Sequence, residues 1–228
     1  MIQRSGFTST SCSARPFLSD LAKISWSGGK VSAAWDRSRG DTRAVLILAH
    51  GAGGDLNDPL LKAVGPELAT HGIAVLRFNF PYRELGRRAP GSQEVSERCY
   101  REVSEEARED GLPLYCGGKS YGGRIGSHIV SDGFEADGLV FLSYPLHPPG
   151  KPDRLRDEHL RRIKKPMLFC QGPNDPFAKP DLLRGVVGSL RTATLKEIAG
   201  GDHSLNVRGT KKEEVVRELV LAIGQFIR

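Results

Sequence analysis

The 228-residue sequence has no hydrophobic run approaching the roughly 20 residues that a membrane-spanning helix requires. It also lacks a basic stretch interleaved with aromatic residues, because its 33 Lys and Arg residues are scattered among 27 Asp and Glu residues. The net charge of +6 is therefore spread along the chain, which does not favour a nucleic-acid interface. We expect neither a membrane nor a nucleic acid as a partner of this protein.

Cysteine is scarce, since the chain has four, and they form neither a C-x-x-C pair nor a regular spacing with histidine. This pattern argues against a zinc site and against a disulfide framework. Cys116 and Cys170 fall within predicted central strands, where a free thiol behaves as a small apolar group. We therefore predict a reducing, cytoplasmic location and neither a metal nor another cofactor.

The first 19 residues are rich in Ser and Thr and contain no acidic residue. They also lack the apolar core that a secretory signal requires. We predict a disordered tail over residues 1–19 and a single α/β domain over residues 20–228, a length sufficient for one well-buried core.

Apolar segments of strand length alternate with amphipathic segments of helix length along most of the chain. The predicted strands are 21–26, 31–36, 44–49, 73–80, 112–117, 138–143, 166–170 and 192–198. The predicted helices are 58–71, 92–110, 123–130, 154–163, 179–189 and 211–227. The first two strands flank Gly28-Gly29 and form a predicted hairpin at one edge. The alternation predicts a mostly parallel sheet of about seven to eight strands with helices on both faces.

The pentapeptide Gly118-Lys119-Ser120-Tyr121-Gly122 lies between a predicted strand and a predicted helix. The chain has 27 glycines, so the pattern alone fits a structural Gly-Ser turn equally well. However, strand, sharp turn and helix form the context in which G-x-S-x-G makes a nucleophile elbow. The sequence therefore predicts Ser120 as a nucleophile.

Two further chemical groups follow other predicted strands, at the edge where open parallel sheets bind ligands. Asp175 follows the strand at 166–170, and His203 follows the strand at 192–198. A serine hydroxyl needs a neighbouring base, which we assign to His203, and the imidazole needs a carboxylate, which we assign to Asp175. Asp202 is the alternative acid.

A glycine-rich segment, 51–54, follows His50 and the strand at 44–49. The tetrahedral intermediate of acyl transfer carries negative charge that backbone amides stabilise. We predict that these amides belong to Tyr121, directly after the nucleophile, and to Ala52 or Gly53. His50 is expected to shape the glycine loop.

The chain resembles the α/β-hydrolase superfamily and, within it, the small, lid-poor branch related to dienelactone hydrolases. In that branch it is similar to bacterial proteins related to an animal testis-expressed protein and to a subunit of the nonspecific-lethal chromatin complex. The likeness is carried by the segments HGAGG (50–54), FNFPY (78–82), GKSYGG (118–123), SYPLHPPGKP (143–152), QGPNDPF (171–177) and GDH (201–203). The resemblance implies an α/β-hydrolase fold with a minimal lid. Ser120, Asp175 and His203 follow one another in the Ser-Asp-His order expected on that fold.

A short segment stands where α/β-hydrolases insert lids, which implies an open site for small esters, lactones or thioesters. Arg83 and Lys119 are expected on the side of the site, where they would favour an anionic acyl group. His147 is a further candidate substrate contact, with a structural role as the alternative. Dienelactone hydrolases carry a cysteine nucleophile whereas this chain has Ser120, so dienelactone itself is not the expected substrate.

These features predict a serine hydrolase that cleaves a small-molecule carboxylic ester, lactone or thioester through an acyl-enzyme on Ser120. The alternative is a non-catalytic binding or scaffold module on the same fold. A third possibility is a peptidase. The short cap region disfavours it, because the region provides little surface to recognise a peptide chain. The oligomeric state is left open.

Overall fold

The core of the protein is one eight-stranded sheet in the computed structural model, which describes residues 20–37 and 40–227. The strands are β1 (Asp20–Trp26), β2 (Gly29–Asp36), β3 (Ala44–Ala49), β4 (Ile73–Phe78), β5 (Leu114–Lys119), β6 (Gly138–Leu142), β7 (Met167–Gln171) and β8 (Ala193–Glu197). The predicted disordered tail at 1–19 lies outside the described residues. The predicted strand number is confirmed.

The order of the strands is β1-β2-β4-β3-β5-β6-β7-β8. β1 and β2 form the predicted edge hairpin, and β2 pairs antiparallel with β4. Every other neighbouring pair is parallel. The carboxyl ends of β3, β5, β7 and β8 therefore point to the same edge of the sheet, where ligands bind in open α/β sheets.

Helices connect most of the parallel strands, and a last helix follows β8. Within the described residues they are α1 (Pro59–Thr70), α2 (Pro81–Glu84), α3 (Gln93–Glu106), α4 (Tyr121–Ser131), α5 (Pro180–Ser189) and α6 (Lys212–Phe226). The carboxylate of Asp58 caps α1 by accepting the amides of Leu60 and Leu61. None of these helices is long and apolar enough to cross a membrane.

The hydrophobic core lies on both faces of the sheet. All six residues of β3 are buried, and its side chains alternate between the faces, so that Ile47 joins one core cluster and Leu48 joins the other. The first cluster includes Ile125 of α4, and the second includes Leu219 of α6. The sheet is thus covered by helices on both faces, and the predicted α/β class is confirmed.

The segment between β6 and β7 is short and carries no lid. Its predicted helix at 154–163 is wrong, because only a 3-10 helix, Glu158–Arg162, forms there. The backbone at Arg156 is held by other partners: its amide donates to the carbonyl of Leu146 (2.8 Å), and its carbonyl accepts from the hydroxyl of Tyr144 (2.8 Å). These bonds tie the segment to the chain after β6, and the predicted minimal lid is confirmed.

Candidate active site

The turn between β5 and α4 holds Ser120 in a strained backbone conformation, with φ 50° and ψ −111°. Its amide donates to the carbonyl of Leu142 on the neighbouring strand (2.9 Å). A Cβ atom at Gly118 or Gly122 would lie 2.4 Å or 2.3 Å from the carbonyl oxygen of Ala49. The two glycines of the motif therefore allow the elbow to approach the end of β3.

Three predicted side chains meet at this elbow. Nε2 of His203 lies 3.0 Å from Oγ of Ser120, and Nδ1 of His203 lies 2.7 Å from Oδ2 of Asp175. The carboxylate can only accept, so Nδ1 carries the proton and Nε2 is free to accept the serine proton. Such a chain of hydrogen bonds can transfer a proton away from Ser120.

The carboxylate of Asp175 is buried and held by two further donors. Nε2 of Gln171 donates to Oδ2 (2.5 Å), and the amide of Phe177 donates to Oδ1 (2.8 Å). The ring of Phe177 also packs against His203, with centroids 4.3 Å apart. Sequence reasoning missed Gln171 and Phe177, although both lie within four residues of Asp175.

Asp202, the alternative acid, has different partners. Its Oδ1 atom accepts the amides of Ser204 (2.7 Å) and Asn206 (2.9 Å). The carboxylate therefore shapes the turn that carries His203, and Asp175 is the acid that contacts the imidazole.

The glycine-rich loop after β3 lies beside the nucleophile, since a Cβ atom at Gly51 would be 3.7 Å from Cβ of Ser120. Among the described residues, no backbone carbonyl accepts a hydrogen bond from the amides of Ala52, Gly53 or Tyr121. These three amides are the predicted donors to an oxyanion, and they remain available for that role.

Two side chains orient this loop. The amide of Phe80 donates to Nε2 of His50 (3.2 Å), so the proton of the neutral imidazole is on Nδ1, which donates to the carbonyl of Gly51 (2.7 Å). Burial lowers the pKa of His50 to about 4 and keeps it neutral. The hydroxyl of Tyr82 donates to the carbonyl of Ala52 (2.8 Å). In a trans peptide the amide points away from its carbonyl, so these bonds set the directions of the Ala52 and Gly53 amides.

A cavity of about 380 Å³ opens beside Ser120. Its lining includes Ala52, Tyr121 and Phe177, together with the side chains of Arg124 and Arg156. Sequence reasoning missed both arginines. The position of Arg124, one helical turn after Ser120, is a signal that could have found it.

The three predicted substrate contacts are not part of this lining. Nζ of Lys119 pairs with Oδ2 of Asp58 (2.8 Å) at the start of α1. Arg83 donates to the carbonyl of Arg87 (3.0 Å) and pairs with Asp55 (3.5 Å).

His147 is buried, with both ring nitrogens bonded to the backbone. Nε2 accepts the amide of Lys179 (3.0 Å), and Nδ1 donates to the carbonyl of Pro148 (2.9 Å). Its contacts therefore join the segment after β6 to the start of α5.

Within residues 20–37 and 40–227, no group of three or more His, Cys, Asp or Glu side chains is arranged to hold a metal ion.

Solved structures with the same fold include several hydrolases. A lidless α/β serine hydrolase from Xanthomonas campestris is 20% identical, with a TM-score of 0.67 over 92% of this chain and 96% of that chain. A dienelactone hydrolase from Anabaena variabilis is 17% identical, with a TM-score of 0.73 over 92% and 99%. An α/β serine hydrolase homologue from Coxiella burnetii is 16% identical, with a TM-score of 0.68 over 91% and 95%.

The sequence itself matches the profile of the alpha/beta hydrolase domain over residues 42–228, which includes the elbow, the glycine loop, Asp175 and His203. This match agrees with the eight-stranded sheet and with the resemblance predicted from the motifs. The chain therefore belongs to the α/β-hydrolase family.

Proposed function

We propose that the protein is a serine hydrolase that cleaves small carboxylic esters, lactones or thioesters through an acyl-enzyme on Ser120. The observation that carries this proposal is the hydrogen-bonded series of Ser120, His203 and Asp175 at the edge of an open cavity. The serine hydrolases among the structures of the same fold support it.

The reaction begins with proton transfer from Oγ of Ser120 to Nε2 of His203, while Oγ attacks the carbonyl carbon of the substrate. The imidazolium is stabilised by Asp175, and the oxyanion accepts hydrogen bonds from the amides of Tyr121 and of Ala52 or Gly53. As the intermediate collapses, Nε2 returns the proton to the departing alcohol or thiol. Water then attacks the acyl-enzyme by the same steps, which releases the acid and restores Ser120.

The size of the cavity supports a small substrate. Its volume of about 380 Å³ lies near the lower end of the roughly 300–1,000 Å³ typical of small-ligand sites. The short segment between β6 and β7 adds no lid that would shelter a long acyl chain. A peptide would need extended binding surface, which the short segment does not provide.

The test is labelling of the purified protein with a fluorophosphonate probe, which reacts with activated serines. We expect the wild type to label and the Ser120→Ala and His203→Ala variants to lose labelling. Ser204→Ala is the matched control, because Ser204 is exposed next to His203 in sequence and has no part in the proposed reaction.

Hydrolysis of short-chain esters, lactones and thioesters by the wild type then defines the reaction. A folded wild-type protein that neither labels nor hydrolyses any of them contradicts the proposal and favours a binding module. Cleavage of peptides in preference to esters would instead favour a peptidase.

A further inference from the structure

Two arginine side chains from different parts of the chain line the cavity that contains Ser120. Arg124 lies on α4, where its amide donates to the carbonyl of Ser120 (3.1 Å). Arg156 comes from the segment between β6 and β7, where its amide donates to the carbonyl of Leu146 and its carbonyl accepts from the hydroxyl of Tyr144. Both side chains are half-buried. Two arginines therefore line the same small cavity as the nucleophile, and both also line an adjoining cavity with His128.

The hydrogen-bond partners of these two arginine side chains are neutral. Nη1 of Arg124 donates to Oε1 of Gln93 (3.0 Å) and lies 3.4 Å from Nε2 of His128. Nη1 of Arg156 lies 3.5 Å from the carbonyl oxygen of Pro145. Within the described part of the chain, no carboxylate forms an ion pair with either side chain. Several other arginines do pair with carboxylates, at 2.7–2.9 Å, including Arg77, Arg161 and Arg184.

The imidazole of His128, which lies beside Arg124, does not neutralise the pair. Burial, followed by the charges of Arg124 and Arg162, lowers the pKa of His128 to about 4 despite Asp132 nearby, so His128 is neutral near pH 7. The carboxylate of Glu97 lies 3.8 Å from Nδ1 of His128, and Glu158 lines the adjoining cavity without an ion pair to either arginine.

The two positive charges also oppose one another. Burial and the charge of Arg124 both lower the pKa of Arg156. Holding two cations together in a partly buried cavity costs free energy, and a bound anion would relieve that cost. A guanidinium carries five N–H donors in a planar fork, which suits a carboxylate.

We propose that Arg124 and Arg156 bind a carboxylate of the substrate, so that the protein acts preferentially on acidic esters. This inference rests on the proposed function, because it names the substrate class of the same cavity. It differs from the sequence prediction of an anion site at Arg83 and Lys119, since Asp55 and Asp58 already pair with those cations. Because the cavity is small, a short substrate could contact these arginines through its carboxylate while its scissile bond lies at Ser120.

The experiment compares acidic esters with neutral amide analogues of the same shape. One arm places the acid on the leaving group, with para-acetoxybenzoate against para-acetoxybenzamide. The other arm places it on the acyl group, with the mono-para-nitrophenyl ester of adipate against that of its monoamide. The readout is the ratio of kcat/KM for the acid to kcat/KM for the amide, divided by the same ratio for the wild type, so that intrinsic reactivity cancels.

The variants are Arg124→Gln and Arg156→Gln, with Arg154→Gln as a matched control. Arg154 is exposed, lies two residues from Arg156 and does not line the cavity. We expect each of the first two variants to lower the ratio roughly 10-fold or more in at least one arm, the loss typical of a charge-assisted hydrogen bond. The arm that responds identifies the side of the ester that carries the carboxylate. The control should leave the ratio unchanged.

Fluorophosphonate labelling and calorimetry separate this inference from the proposed function. A wild type that labels and hydrolyses esters, with ratios unchanged by both arginine variants in both arms, overturns the inference and leaves the hydrolase intact. If the folded wild type neither labels nor hydrolyses any ester, the proposed function fails, and binding of para-hydroxybenzoate and adipate to the Ser120→Ala protein decides the anion site. Binding that exceeds that of the corresponding amides and is lost on replacing Arg124 or Arg156 supports the site; binding no tighter than that of the amides overturns it.

Discussion

The neutral imidazole of His50 donates a hydrogen bond to the carbonyl of Gly51 across 2.7 Å. The same peptide carries the amide of Ala52, which points away from that carbonyl, and Ala52 lines the cavity that contains Ser120. His50 does not contact a reacting atom, so it acts as a positioning residue. Burial keeps it neutral by lowering its pKa to about 4, and a charged imidazole could not accept the amide of Phe80.

Replacing His50 should therefore reduce kcat more than it raises KM. Loss of one oxyanion donor costs roughly 100- to 1,000-fold in kcat, and misdirecting an amide should cost less, about 10- to 100-fold for His50→Ala. His50→Asn should recover part of the loss, because its side-chain amide can still donate to Gly51. Steady-state kinetics on one ester checks this prediction. Equal losses in kcat for the Ala and Asn variants would argue against positioning by this hydrogen bond.

The contact between Gln171 and Asp175 gives a prediction with a defined pH dependence. In Gln171→Glu, two carboxylates would lie about as close as the present 2.5 Å between Nε2 and Oδ2, and both cannot be ionised. The folded-state pKa of the pair is then raised above its unfolded value, so stability is lost as pH rises. We expect the unfolding free energy of the variant to be several kcal/mol lower at pH 8 than at pH 5.

Urea denaturation at both pH values measures this effect, with Gln171→Met as the control that removes the amide without adding a charge. A Gln171→Glu protein whose stability relative to the control does not change with pH would show that the two carboxylates are further apart than the hydrogen bond implies.

The elbow glycines should tolerate no side chain. Gly122→Ala would place Cβ 2.3 Å from the carbonyl oxygen of Ala49 in β3. Neither α4 nor β3 can move away from this clash without disturbing the sheet. We expect a loss of several kcal/mol of stability, roughly, or failure to fold. Gly224→Ala is the contrasting change, because it meets no atom within 4 Å and lies in α6. It should stabilise the protein by up to about 1 kcal/mol. Thermal denaturation of both variants checks the prediction, and similar melting temperatures would contradict it.

Two stacked histidines should make the fold sensitive to mild acid. The ring centroids of His128 and His159 lie 3.9 Å apart. Burial, followed by neighbouring positive charge, lowers the pKa of His128 to about 4 and that of His159 to about 3. The unfolded state therefore binds more protons below the ordinary pKa of 6.5. Stability that is present above pH 6.5 is lost as pH falls toward these folded-state values, by up to about 1.4 kcal/mol per pH unit for each histidine.

Replacing His159 with Gln should flatten this dependence between pH 6.5 and pH 5, where carboxylates contribute least. Urea denaturation at several pH values gives the slope, and exposed His71→Gln serves as the comparison. An unchanged slope in His159→Gln would show that its protonation does not contribute to acid unfolding.

The fold was predictable because its signals are local. The mostly apolar segments that became β3, β4, β6 and β7 are buried throughout, and alternation with helices implied parallel pairing. The helix expected at 154–163 failed because the amide of Arg156 donates to Leu146 and its carbonyl accepts from Tyr144, and such bonds to another segment leave no periodic pattern. The cytoplasmic location, the narrower resemblance to the testis-expressed and chromatin-complex proteins, and the absence of cofactors stay predictions.

The sequence by itself determined the family, the sheet and the candidates Ser120, Asp175 and His203, because each residue follows a strand whose end the apolar pattern marks. Only the tertiary structure decided which charged side chains face the cavity. Lys119 adjoins the nucleophile in sequence but turns to the Asp58 carboxylate, whereas Arg156, 36 residues beyond Ser120, is brought beside it by the packing of the segment after β6. A side chain's direction depends on the partner it finds across the fold, and that partner cannot be inferred from spacing along the chain.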